Sequence, residues 1–360
     1  MSKKDTMKLF NILFFPLAFL YGVVTSIRNY LYDKGYFKTV TFNIFTLSVG
    51  NLSVGGTGKT PHVEYLIRLL QSHYQIATLS RGYGRKTKGF RLATKADTPQ
   101  TLGDEPMQFY QKFGKSVPVS VGERRVEATE KLLFQCPDTQ VVLLDDAYQH
   151  RAIGRHLNVL LTDYNMLFYQ DFVLPQGRLR EPSTGAKRAD AIIVSKCPED
   201  FTETEIQEIG KAIRGYTKTE TPVFFSTIQY GKPIAFGSET LVSGQVVILT
   251  GIANPKPFED YAHRHFQVLQ TIRLADHYDY TIADIEKFRS LIQSFGVANV
   301  SILTTEKDYV KLAKLGDKSA LPLFFVPIEI RFLRNEANKF NNWVLERVQK
   351  FYKTQALPYL

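Results

Sequence analysis

The chain has 360 residues, 44% of them hydrophobic and 22% charged, which excludes wholesale disorder and leaves room for two domains or one large one with additions. The net charge of +10 favours polyanionic partners: nucleic acid, anionic lipid or phosphorylated substrates. Two cysteines far apart, Cys136 and Cys197, with no CxxC, HExxH or zinc-finger spacing, argue against a disulfide framework and a structural metal, and make a reducing compartment the default.

Taken in order, residues 9–24 ("LFNILFFPLAFLYGVV") form an apolar helix flanked by Lys3, Lys4, Lys8, Arg28, Lys34 and Lys38. The run is short for a spanning helix and Pro16 interrupts it. Three readings stay open: a helix lying on the bilayer surface, a single span, and a helix packed on the protein core. If it is membrane-bound, the basic flanks put the body in the cytoplasm. Strand-like "NIFTLSVG" (43–50) then leads into "NLSVGGTGKT" and a helix at 61–73. Strands follow at 75–80 and 116–121, a helix at 124–135, and apolar strands at 140–146, 157–163 and 190–196 that suit a sheet buried on both faces. A helix at 202–216 and a strand at 222–228 complete the first alternation, a doubly wound parallel α/β sheet. Gly and Ser collect at 229–244, read as a linker or small β element. The alternation then restarts, with strands at 246–252, 267–274, 299–305 and 322–328 and helices at 255–266, 281–296, 307–316 and 334–353. The expected organisation is an N-terminal apolar, membrane-associated helix (1–38), a P-loop kinase domain (39–230), a linker (231–244) and a smaller C-terminal α/β domain (245–360).

"SVGGTGKT" (53–60) has the ending of a phosphate-binding P-loop, in which successive backbone N–H groups converge on phosphate at a helix N-terminus. Gly55, Gly56 and Gly58 supply freedom of backbone and close approach; Val54 and Thr57 complete the loop. Ser53 stands at its mouth, where the pattern wants glycine. Lys59 suits the β- and γ-phosphates and Thr60 a magnesium ion. A second metal anchor is expected after a buried strand, and "VVLLDD" ends in Asp145 and Asp146. The nearest counterpart of a guanine-reading motif is "VSKCP", where Pro198 cannot accept hydrogen bonds from guanine, so ATP is favoured.

Four further stretches bear charge: "SRGYGRKTKGFR" (80–91), "LGDEP" (102–106), "DDAYQHR" (145–151) and "LPQGRLREP" (174–182). In this order, with the N-terminal "LYG", "VSK", "LTGIANP" and "DHYDYT", they resemble the tetraacyldisaccharide 4′-kinases, the lipid A 4′-kinase family, over nearly the whole chain. Ala147 departs from the glycine usual in that family, and Tyr148 replaces a phenylalanine. The resemblance implies ATP-dependent phosphorylation of the 4′-hydroxyl of an acylated disaccharide 1-phosphate at the cytoplasmic face of the inner membrane, with no nucleic-acid partner. It also implies that Asp104 and His277 form an acid–histidine pair that activates the acceptor, which requires two halves of the chain to face each other. A carboxylate base suits a sugar hydroxyl, a poor nucleophile. Glu105 would support Mg²⁺ through water. Arg125, with Arg124 as its competitor, and Arg180 would stabilise phosphate charge. Arg81 and Arg85 would meet the 1-phosphate, and Gln149 and His150 would line the substrate site. The competing functions are a membrane-associated P-loop ATPase or nucleotide switch with no sugar acceptor, and an ATP-dependent ligase.

Overall fold

The computed structural model describes residues 3–236, 242–295, 300–313, 315 and 321–356, with the side chains of 3–13 and 356 left aside. Helix α1 (Lys3–Asp33) runs unbroken through Pro16, since one missing N–H does not end a helix of 31 residues held elsewhere. The holding contacts lie in its second half. The Tyr21 hydroxyl donates to the Arg180 carbonyl at 2.9 Å, Asn29 donates to Glu181 at 2.5 Å, and Arg151 donates to both the Asn29 carbonyl and Asp33. Phe15, Leu17, Phe19, Leu20, Val24 and Ile27 face outward. Among the described residues no helix is long and apolar enough to cross a membrane.

The first sheet begins with β1 (Phe45–Asn51), followed by α2 (Lys59–Leu70), β2 (Ile76–Ser80) and the short β3 (Arg91–Leu92). Next come α3 (Pro99–Leu102), α4 (Asp104–Phe113), β4 (Val119–Val121), α5 (Arg125–Gln135), β5 (Val141–Asp145) and β6 (Leu157–Asp163). β7 (Ala191–Ser195), α6 (Glu203–Arg214) and β8 (Val223–Tyr230) follow. The second sheet takes β9 (Ile234–Ala235), β10 (Gln245–Thr250), α7 (Lys256–His265), β11 (Gln267–Arg273), α8 (Ile282–Ser294), β12 (Val300–Thr305), α9 (Glu306–Leu312) and β13 (Leu323–Val326). β14 (Ile328–Phe332) and α10 (Ala337–Ala356) close the chain.

The nine-stranded sheet has the order β14-β8-β7-β6-β1-β5-β2-β4-β3, parallel except at its two edges. β1 lies between β5 and β6, so the chain winds outward from it in both directions and leaves a crevice at its carboxyl end. Every residue of β1, β2, β5 and β7 is buried, as expected of apolar runs covered by helices on both faces. One core joins Leu47, Val49, Val63 and Ile67 to Phe340, Val344 and Val348 of α10. The opposite face is covered by cores around Tyr148, Ile192 and Phe225 and around Leu79, Leu132 and Leu144. The second sheet, β11-β10-β12-β13-β9, has its own cores on its two faces.

The expected C-terminal unit over 245–360 needs correction at its end. The single strand expected at 322–328 is two strands in two sheets, parted at Pro327, which cannot continue a ladder as a donor. β14 returns to the first sheet beside β8, and α10 fills its core. The expected linker over 231–244 contains β9, which pairs with β13; residues 237–241 of it lie outside the described residues. The sequence reading also missed α4, whose first residue is Asp104. A small core of Leu102, Met107, Val121 and Val310 joins α4 to α9 across the two sheets.

Candidate active site

The loop after β1 is shaped by two residues in the left-handed region, Gly55 (φ 107°) and Gly58 (φ 79°), where a side chain would be strained. Gly58 caps α2, so Lys59 and Thr60 begin the helix at its positive end. Ser53 makes an antiparallel bridge with Leu179, and the Val54 N–H donates to the Arg178 carbonyl at 2.8 Å. A bridging residue is extended, which explains why serine serves where the pattern wants glycine. The Thr57 N–H closes on the Gly55 carbonyl at 3.1 Å, while its hydroxyl accepts from Asn51 at 3.0 Å. Lys196 donates to the Gly56 carbonyl and pairs with Asp163 at 2.7 Å, and the Ser195 hydroxyl donates to the Thr57 carbonyl at 2.8 Å. From inside α2, His62 Nδ1–H donates to the Gly58 carbonyl at 2.7 Å, so Nε2 accepts from the Ser226 hydroxyl at 3.0 Å. Complete burial lowers His62 to about pKa 4, and it stays neutral at ordinary pH. Sequence reasoning missed His62 and Lys196; for the first, the available signal was an imidazole one turn into a phosphate-loop helix.

Across the crevice, β5 delivers Asp145 and Asp146. The Asp145 carboxyl is buried and its Oδ1 has no hydrogen-bond partner; burial, then the neighbouring Asp146, push it up to about 7. Burial alone would raise Asp146 as well, but Lys59 and Arg180 hold it below its ordinary value. The Lys59 ammonium lies 3.7 Å from Asp146 and donates to Asn51 Oδ1 at 3.3 Å. Arg180 Nη1 reaches both Asp146 oxygens at 3.0 and 3.1 Å. Asp146 carries the strained backbone here (φ 46°), so the turn does not need glycine at the next position, and Ala147 is simply buried.

Arg124 and Arg125 differ in burial. The Arg124 side chain is 86% exposed against Glu127, whereas Arg125 is buried, donating to the Gly122 carbonyl and, at 3.4 Å, to that of Asp145. Desolvation brings it down to about 10, partly offset by Asp145 and Asp146. His150 is lowered to about 4 by burial and then by the positive charges of Arg125 and Arg81, the latter an exposed residue. Two residues expected at the substrate have partners within the protein. The Arg85 side chain is 2% exposed and its Nη2 is taken by Glu123 and the Gly89 carbonyl, both at 2.5 Å, so this nitrogen braces its own loop. Gln149 is likewise engaged within the protein, donating to the Asn51 carbonyl and to Glu181, each at 3.0 Å.

Asp104 opens α4 after Gly103 (φ 95°), and His277 sits in a strained turn (φ 60°) after β11. Their side chains meet: His277 Nδ1 lies 2.8 Å from Asp104 Oδ2. Two lysines of α9, neither of them singled out from sequence, surround the pair. Lys311 is 3.1 Å from Asp104 Oδ2, and Lys307 is 3.2 Å from His277 Nε2 and 3.5 Å from Glu105. Their signal was a Thr305-to-Asp308 cap with lysines at i and i+4 behind it. Among the described residues no cluster of three or more His, Cys, Asp or Glu forms a ready-made metal cage. The aspartate pair and Thr60 instead suit an ion whose other ligands come from phosphate and water.

The family model described as tetraacyldisaccharide-1-P 4′-kinase matches residues 10–349. The tetraacyldisaccharide 4′-kinase of Flavobacterium psychrophilum is 44% identical over 93% of this chain and 96% of its own length. That of Bacteroides thetaiotaomicron is 37% identical over 93% of each chain. The crystal structure of the "apo" form of LpxK from Aquifex aeolicus in complex with ATP is similar at a TM-score of 0.73 and 27% identity, covering 94% of this chain and 99% of that one. With the family model spanning nearly the whole chain and these relatives matched along almost their full length, the chain belongs to the tetraacyldisaccharide-1-P 4′-kinase family.

Proposed function

We propose that this chain transfers the γ-phosphoryl group of ATP to the 4′-hydroxyl of a tetraacyldisaccharide 1-phosphate. The observation that carries the reading is the 2.8 Å contact of Asp104 with His277, made between a helix of the phosphate-loop sheet and a turn of the second sheet. An ATPase or switch needs no such carboxylate beside its nucleotide. The loop over Ser53–Thr60 would hold the nucleotide phosphates through backbone N–H groups, and Lys59 would bear on the transferring group. The unpartnered Asp145 Oδ1 and the repulsion between two adjacent carboxylates fit a divalent cation. Thr60, Asp145 and Asp146 would hold Mg²⁺, with Glu105 acting through water; when bound with the nucleotide, the ion neutralises phosphate charge.

Asp104 acts as the general base. Its Oδ2 is engaged by His277 and Lys311, and Oδ1 takes the proton of the acceptor hydroxyl. Arg125 and Arg180 supply fixed positive charge beside the aspartates, and Arg81 meets the substrate's phosphate from the exposed side. His150 stays neutral beside them and lines the acceptor site. The outward apolar side chains of α1, flanked by basic residues, lie against the lipid surface at the cytoplasmic face of the inner membrane, where the acylated acceptor resides. Incubation with γ-radiolabelled ATP, Mg²⁺ and acylated disaccharide 1-phosphate tests the function. Label on the glycolipid is expected; release of free phosphate alone would overturn the reading.

A further inference from the structure

We propose that Lys307 and Lys311, one helical turn apart on α9, are positioning residues for the Asp104–His277 pair: Lys311 fixes the carboxylate and Lys307 fixes the imidazole tautomer. The inference deepens the kinase reading and rests on it for its kinetic test.

α9 is a rigid mount. The Thr305 hydroxyl accepts from the Asp308 N–H at 3.2 Å, and Asp308 accepts from the Gly251 N–H at 3.1 Å and the Tyr280 hydroxyl at 2.9 Å. Glu306 pairs with Lys112 of α4 at 2.5 Å, and Val310 packs on Leu102 and Met107. A helix so held presents residues four apart on one face, and those residues are the two lysines. The Lys311 side chain is 5% exposed, an uncommon place for a long cationic chain, and its ammonium has two partners there, Asp104 Oδ2 at 3.1 Å and the Tyr278 carbonyl at 3.2 Å.

An ammonium group donates and cannot accept. Lys307, 3.2 Å from His277 Nε2, therefore requires Nε2 to be the bare nitrogen, which puts the proton on Nδ1, facing Asp104 Oδ2. Glu105 steadies the same ammonium at 3.5 Å. Without Lys307 the proton has an alternative on Nε2, towards Asp276 at 3.8 Å, and two acceptors would then face each other across the Asp104 contact.

Lys311→Met should lower kcat about 10- to 100-fold, the scale of a misplaced reacting group, with KM for ATP changed by less than about twofold. In an Asp104→Asn background the same substitution should have no further effect, because Lys311 acts through Asp104. A kcat within about twofold of the parent, or losses that multiply in the double variant, would overturn the role of Lys311. The tautomer is read without any activity. In the full chain labelled with ¹⁵N-histidine, the resonances lost in His277→Gln should show a protonated Nδ1 and a bare Nε2 at pH 8, and Lys307→Met should give mixed tautomers. A protonated Nε2 in the parent protein would contradict the role of Lys307. A parent protein that labels no glycolipid would instead defeat the kinase reading, leaving the tautomer result to stand or fall separately.

Discussion

Between Asn51 and Thr60 the phosphate loop is made by one strand, one turn and one helix, and its glycines and Lys59 are neighbours in sequence, with Leu179, Ser195 and Lys196 bracing it from outside. The Asp104–His277 contact joins side chains 173 positions apart, beside the packing of α9 against α4. The first site therefore absorbs local change. Ser53 serves in an extended bridge, and Ala147 serves because the strained φ falls on Asp146. The second site depends on packing and ion pairs from elements that no local pattern connects, such as Val310 in the α4 core and Glu306 against Lys112. The difference suggests that nucleotide binding and acceptor activation fail independently.

The largest break in that comparison is expected at Lys59. Lys59→Ala should lower kcat by about 10²–10³-fold or more through lost charge stabilisation, measured with saturating acceptor; turnover near the parent rate would undo the nucleotide site. Next come the adjacent arginines. Arg125→Ala should lose about 10²-fold in turnover, while Arg124→Ala stays within about twofold, since only the former reaches the aspartate anchor. Equal effects in steady-state assays would contradict the burial argument. The last effect is on stability and leaves both sites in place. His62 has an ordinary value of 6.5 and about 4 in the folded protein, so the unfolded chain binds more protons between those values. Stability supplied by neutral His62 is full above about pH 6.5 and is lost as pH falls towards 4, by on the order of 3 kcal/mol. Urea unfolding across that range should show the slope in the parent protein and a shallower one in His62→Gln.

Most strands of both sheets, the turn of the glycine loop and the placing of Asp145 at a strand end were legible because each carries its signal in a short window: an apolar run, a glycine pattern, or acids at a strand end. The pairing of Asp104 with His277 entered through family resemblance, since no periodicity links "GDEP" to "DHYDY". The departure of β14 from the second sheet was hidden because 322–328 reads as one apolar strand, and Pro327 only acquires meaning once two sheets compete for it. Arg85 looked like a phosphate ligand because basic residues in a glycine-rich loop are ordinarily exposed; here Glu123 draws it inward. Lys307 and Lys311 fall in the expected helix at 307–316 and gain their partners only through tertiary contact with α4 and the turn after β11.

The central claim is that Asp104 serves the acceptor and the glycine loop serves the nucleotide. Calorimetric titration of Asp104→Ala with Mg·ATP, set beside its turnover with glycolipid, tests that division most directly. The account predicts turnover down by about 10²–10⁴-fold with ATP affinity held within about threefold. Parallel loss of turnover and ATP affinity would contradict it.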